Sequence, residues 1–93
     1  MAENTIRVEK KSKEELEAQG VFQWPIWTHE AATFPWEYDT RETCYLLEGK
    51  VTVTPEGGGE PVEIQAGDYV VFPRGLKCTW TIHQPVRKHY NFG

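Results

Sequence analysis

The stretch "PWEYDTRETCYLLEG", Pro35 to Gly49, sets a glutamate seven residues ahead of a glycine, with apolar residues between them. Within it Glu42, Cys44 and Leu46 fall at every second position, which is the side-chain period of a β-strand. Gly49 stands where such a strand bends, because glycine enters backbone regions closed to other residues. A second stretch, "AGDYVVFPRG" (Ala66 to Gly75), repeats the scheme. Gly67 opens it and an apolar strand follows. Pro73 fixes φ at the strand end, and Gly75 suits the turn after it. Asp68 is placed to accept hydrogen bonds from the amides of its own turn.

Outward from these two stretches the chain reads as strands and turns. "KVTVTPE" continues from Gly49, "EGGGE" (Glu56 to Glu60) is a hairpin loop, and "PVEIQ" is a short strand. "RGLK" turns, "CTWTIH" alternates, "QP" predicts a turn, and "VRKHYNF" closes the chain. Upstream, Pro25 and Pro35 bracket "IWTHEAATF", which predicts one strand. "TIRVEK" (Thr5 to Lys10) alternates Ile6 and Val8 with polar neighbours and predicts an edge strand. "SKEELEAQG" (Ser12 to Gly20) is the one helical signal. Ser12 and Glu15 fit a capping box, Leu16 supplies an apolar contact, and Gly20 sits where a C-cap belongs. Many short strands with evenly spaced turns predict a sandwich or closed barrel.

Ninety-three residues bound the answer to one domain, with a barrel over about 24–92 and a strand and short helix over 1–20. A chain of this size buries roughly 60–65% of its unfolded surface, so its core is thin. Four Trp, four Tyr and four Phe supply large apolar units, while six Pro and eight Gly imply many turns. The net charge of −4 and the lack of a dense basic block argue against nucleic acid; "RVEKKSK" is interrupted by Glu9. No apolar run approaches a membrane span. The N-terminus carries charge where a signal peptide needs an apolar core, so a cytoplasmic protein is expected. Two cysteines, Cys44 and Cys78, read as free thiols.

Taken together, "CYLLEGKVTV", "AGDYVVFPRG", Thr79–Trp80 and "VRKHY" resemble the RmlC-like cupin superfamily. The likeness is to its small single-domain members, related to ureidoglycine aminohydrolase and EutQ-like cupin domains, and it covers Trp24 to Phe92. The resemblance implies an all-β fold, a jelly-roll β-barrel, here with a short N-terminal helical turn. In metal-binding cupins the first motif offers two histidines and the glutamate, and the second motif a third histidine. Here the first-motif positions fall within Pro35 to Tyr38, where no histidine stands, and the second-motif position is Cys78. Only Glu42 keeps its type. With Glu37 the ligand set reaches three at most, short of a tight transition-metal site. The expectation is a barrel with no tightly bound metal and no cofactor. The same departures count against dioxygenase, isomerase and ureidoglycine aminohydrolase chemistry.

Strand parity says what remains inside. Glu42, Cys44 and Leu46 share a face, as do Cys78, Trp80 and Ile82, and as do Val86, Lys88, Tyr90 and Phe92. The apolar face lines the barrel, which takes Lys88 inward. Two readings then stand. Lys88 pairs with Glu42 in the space a metal would fill, or it sits at the rim and snorkels into water. Trp36 and Tyr38 suit a barrel mouth. His29, His83 and His89 read as surface residues. Three functional classes follow. The first is a barrel binding a small polar metabolite through Trp36, Tyr38, Glu42, Cys78, Trp80 and Lys88. The second is a small-molecule enzyme, a nitrogen-metabolite hydrolase or isomerase, using Glu42 with Lys88 or Cys78. The third is a structural module whose barrel is filled by side chains. The exposed edge at Thr5 to Lys10 further predicts a homodimer.

Overall fold

The computed structural model describes residues 5–93; residues 1–4, the start of the charged N-terminus, lie outside it. Strand β1 (Arg7–Glu9) is followed by helix α1 (Lys13–Ala18), a 3-10 turn (Val21–Gln23) and β2 (Ile26–His29). Then come β3 (Ala32–Glu37), β4 (Glu42–Pro55), β5 (Val62–Gln65), β6 (Tyr69–Phe72) and β7 (Lys77–Phe92). The all-β barrel of jelly-roll type expected from the sequence is the fold observed. Among the described residues no helix is long and apolar enough to cross a membrane.

Two long strands form the frame. β4 has 14 residues and β7 has 16, and they pair antiparallel from one end to the other except at an interruption near Gly49. β6 and β2 flank one half of this ribbon, pairing with Glu42–Tyr45 of β4 and Val86–His89 of β7. β1 adds to the outer side of β6. β5 and β3 flank the other half, pairing with Lys50–Val53 of β4 and Lys77–Ile82 of β7. The ribbon bends between the halves and folds them over one core, which includes Leu46, Val51, Ile64, Phe72, Leu76 and Ile82. Pro35 lies in β3, where only the β7 side is paired, a position that tolerates proline.

The bend is where the sequence expectations fail. "QP" is not a turn between two strands: β7 runs through Gln84 and Pro85. The interruption lies in the pairing instead. Register passes from Leu46↔Lys88 to Val51↔Ile82, five residues along β4 against six along β7. This bulge lets β7 keep its even residues inward while β4 changes from even (Cys44, Leu46) to odd (Val51, Val53). "IWTHEAATF" is also not one strand. It breaks at Glu30–Ala31 because β2 and β3 pair with opposite sides of the bend.

The N-terminal segment follows its local signals. Ser12 Oγ accepts from the Glu15 amide at 3.1 Å, and Glu15 Oε1 accepts from the Ser12 amide at 3.0 Å. Leu16 alone in the helix is buried, and Gly20 ends it with φ of 73°. Asp68 closes its turn by accepting from the Gln65 amide at 2.8 Å, and Lys10 pairs with its other oxygen. His89 is a correction: it is buried, not on the surface. Its Nδ1 donates to the Trp24 carbonyl at 3.0 Å, and Phe22 packs against its ring. The segment before β2 covers that outer sheet face, which strand parity cannot register.

Gly49 has φ of 114°, and a Cβ there would stand 2.8 Å from both Pro85 O and Val86 Cα. Both obstacles are backbone. Gly49→Ala is therefore expected to lose at least the roughly 1–3 kcal/mol of a strained backbone position, measured by urea unfolding. A variant of unchanged midpoint would show that the bend can relax.

Candidate functional site

The site is built where the two halves face each other. Glu42 starts β4 opposite Phe92, and Lys88 lies opposite Leu46 of β4 and Trp27 of β2. Glu42 and Leu46 are four residues apart on one face, roughly 13 Å along a strand. The Lys88 stem therefore spans Cys44 to reach the carboxylate. Its Nζ donates to Glu42 Oε2 at 2.7 Å, with side chains only 6% and 4% exposed. The ammonium also lies 4.7 Å from the Trp80 ring centre and 5.0 Å from that of Trp27. One carboxylate and two indole faces thus surround a charge that could not remain in so apolar a place alone.

Beside this pair is a cavity of about 160 Å³, walled by Trp27, Phe34, Trp36, Tyr38, Glu42, Trp80, Lys88, Tyr90 and Phe92. A closed cavity of about 150 Å³ holds one benzene, so the space suits a single small ring or its equivalent. The walls brace each other. Tyr38 stacks on Phe72 with centres 4.8 Å apart, Phe34 stacks on Trp80 at 6.3 Å, and Trp80 Nε1 donates to the Tyr38 hydroxyl at 3.1 Å. Trp36 and Phe92 are about half exposed and stand at the mouth.

Of the residues singled out in the sequence, Glu42, Lys88, Trp36, Tyr38 and Trp80 border this cavity, and Cys78 does not. Trp27, Phe34, Tyr90 and Phe92 complete the wall. Tyr90 and Phe92 share parity with Lys88, so that signal was available. Trp27 and Phe34 had none: their seven-residue spacing puts them on opposite faces of any continuous strand. Only the break at Glu30–Ala31 turns both inward, opposite Lys88 and Trp80.

The residues present do not fit a metal ion. Among the described residues no group of three His, Cys, Asp or Glu could hold one. The carboxylate that would ligate is already bonded to a cation. Nor are the nearby thiols ready ligands, since a ligand must give up its proton. Burial pushes Cys44 up to about 12, against the pull of the Lys88 charge. Burial, helped by Glu56, pushes Cys78 up to about 11. Both cysteines are free and buried. Burial raises the Tyr38 phenol far above its ordinary value, with the Glu42 charge adding to the effect.

A single jelly-roll barrel with these two motifs defines a small cupin. The family model for the EutQ-like cupin domain matches residues 16–90, and the chain belongs to that family. A DUF861-family protein of Thermotoga maritima is 50% identical, with TM-score 0.92 over 96% of this chain and 100% of that one. A putative ethanolamine utilization protein Q of Salmonella typhimurium is 30% identical, with TM-score 0.64 over 72% of this chain. The match spans 53% of the Salmonella protein's length. A DUF861-family protein of unknown function from Pseudomonas syringae is 28% identical, with TM-score 0.65 over 73% of this chain and 29% of its own. No curated protein matches the chain.

Two outcomes follow from this geometry. Lys88→Met and Glu42→Gln should each cost about 3–5 kcal/mol, since each strands a buried polar or charged partner. The double variant should cost clearly less than the sum, as measured by denaturant unfolding of all four proteins. Strict additivity would mean the two groups act independently. The thiols give a pH dependence. Their folded pKa values lie above the unfolded value of about 8.5, so their contribution is fully present below that pH. It should be lost as pH rises through about 11 for Cys78 and about 12 for Cys44. Urea melts across that range, compared with Cys44→Ala and Cys78→Ala, check it; parallel curves would refute the assignment.

Proposed function

We propose that the barrel binds a small polar metabolite against the Glu42–Lys88 pair, without a tightly bound metal. The observation that carries this reading is a charged pair, nearly sealed from water, facing an open aromatic cavity. Binding pockets join apolar walls to a few convergent polar groups, which is the composition of this cavity. The cavity favours this reading over a barrel filled by side chains. The high thiol pKa of Cys78 and its place outside the cavity wall weigh against a nucleophilic cysteine.

Three of the chain's four tryptophans line the cavity, so occupancy has an optical readout. Screening small polar compounds of one-ring size should yield at least one that shifts tryptophan emission saturably and raises the melting temperature. The shift should disappear in the unfolded protein. A broad screen at millimolar concentrations that finds no such compound would overturn the proposal.

A further inference from the structure

The polar groups of the cavity specify more than the presence of a ligand. Lys88 has three N–H donors. One goes to Glu42 Oε2, and the ammonium is flanked by the faces of Trp80 and Trp27. Glu42 Oε1 is different. It accepts no hydrogen bond from any described residue, yet no buried side-chain oxygen or nitrogen is left sealed without a partner. It must therefore open into the cavity that Glu42 lines. Tyr38 supplies the complement. Its hydroxyl oxygen accepts from Trp80 Nε1, while its own proton finds no acceptor among the described residues. Both free groups are tied to one cluster, Glu42 through Lys88 and Tyr38 through Trp80, over which Lys88 lies. Apart from the ring-flanked ammonium, the cavity wall thus holds one free acceptor, Glu42 Oε1, and one free donor, the Tyr38 hydroxyl, near enough for the Glu42 charge to act on the phenol.

Charge narrows the ligand further. Glu42 and Lys88 neutralise each other at 2.7 Å. An entering anion meets the carboxylate without a free cation to offset it, and an entering cation meets the ammonium in the same way. Aromatic walls and a volume near that of one benzene favour a single flat ring. Resting on the cavity-binding reading above, we propose that the site selects small, flat, net-neutral molecules carrying an N–H beside a C=O, the pattern of a cyclic or primary amide. The N–H donates to Glu42 Oε1, and the C=O accepts from the Tyr38 hydroxyl. No covalent step is involved.

Four probes test this on the intact protein by NMR, following the tryptophan indole N–H signals. They are 4-methyl-2-pyridone, its isomer N-methyl-2-pyridone, benzoate and benzamidinium. The first two have the same atoms and differ in whether the N–H is free. The expected result is that 4-methyl-2-pyridone binds about tenfold or more tightly than its N-methyl isomer, the ratio of one hydrogen bond to a charged group. Both ions should bind more weakly still. Tyr38→Phe should weaken 4-methyl-2-pyridone by a similar factor while the melting transition stays cooperative. Equal binding of the two isomers overturns the donor–acceptor assignment. Tighter binding of either ion overturns the charge argument. In both cases cavity binding itself stands and only the ligand class falls. Failure of all four probes also overturns the ligand class, and the wider compound screen then decides the cavity-binding reading separately.

Discussion

The barrel closes because two backbones touch. Gly49 of β4 lies against Pro85 and Val86 of β7 at a distance that leaves no room for a Cβ. This contact lets a ribbon of 14- and 16-residue strands bend sharply while staying paired on both sides of the bend. A straight ribbon would leave one face of each half open to water. The bend folds those faces onto each other, and the small core follows. Pro85 suits the partner position, since a residue without an amide hydrogen loses little where the ladder is already interrupted. The bulge also exchanges which residues of β4 face inward. Its charged end, Glu42, and its apolar end, Val51 and Val53, can then line one interior.

The interior is unusual in having an ammonium at its centre. Burying two charges costs several kcal/mol for each ion, recovered only when the geometry is good and each group is otherwise satisfied. Here the carboxylate contact is short, and two indole faces flank the ammonium. An apolar pair of similar volume would hold such a barrel at least as well. The charges are thus weak evidence about stability and stronger evidence about what the cavity presents to a small molecule. They also change the chemistry open to a cupin barrel. A fixed positive side chain stands over the retained motif glutamate, so a metal cation at that carboxylate would meet the ammonium at close range.

The aromatic residues serve two purposes. A chain of 93 residues has little apolar volume to bury, and large rings fill a small barrel with few positions. The same rings stack in pairs and share one indole-to-phenol hydrogen bond, which fixes the cavity walls without a ligand. At the cavity edge Trp36 and Phe92 are half exposed, yet each is held edge-on by neighbouring rings, Trp36 by Phe34 and Tyr38 and Phe92 by Tyr90.

The sequence by itself determined the barrel, the capped helix and the likeness to cupins. Alternation in "CTWTIH" and "ETCYLLEG", the glycines and prolines at the corners, and the Ser12–Glu15 box are local signals with local causes. It also placed Glu42, Cys44 and Lys88 on inward faces, because parity holds within an uninterrupted strand. Tertiary structure decided what parity cannot carry across a break. The bulge near Gly49 and the gap at Glu30–Ala31 each reset the count, so Trp27 and Phe34 entered the cavity wall unannounced. It decided the burial of His89, which depends on a distant segment folding over the sheet. It also decided between the two readings of Lys88. Whether a lysine snorkels or turns inward depends on whether a carboxylate and two indoles converge on its end, and those come from two other strands, β4 and β2, and a distant part of β7.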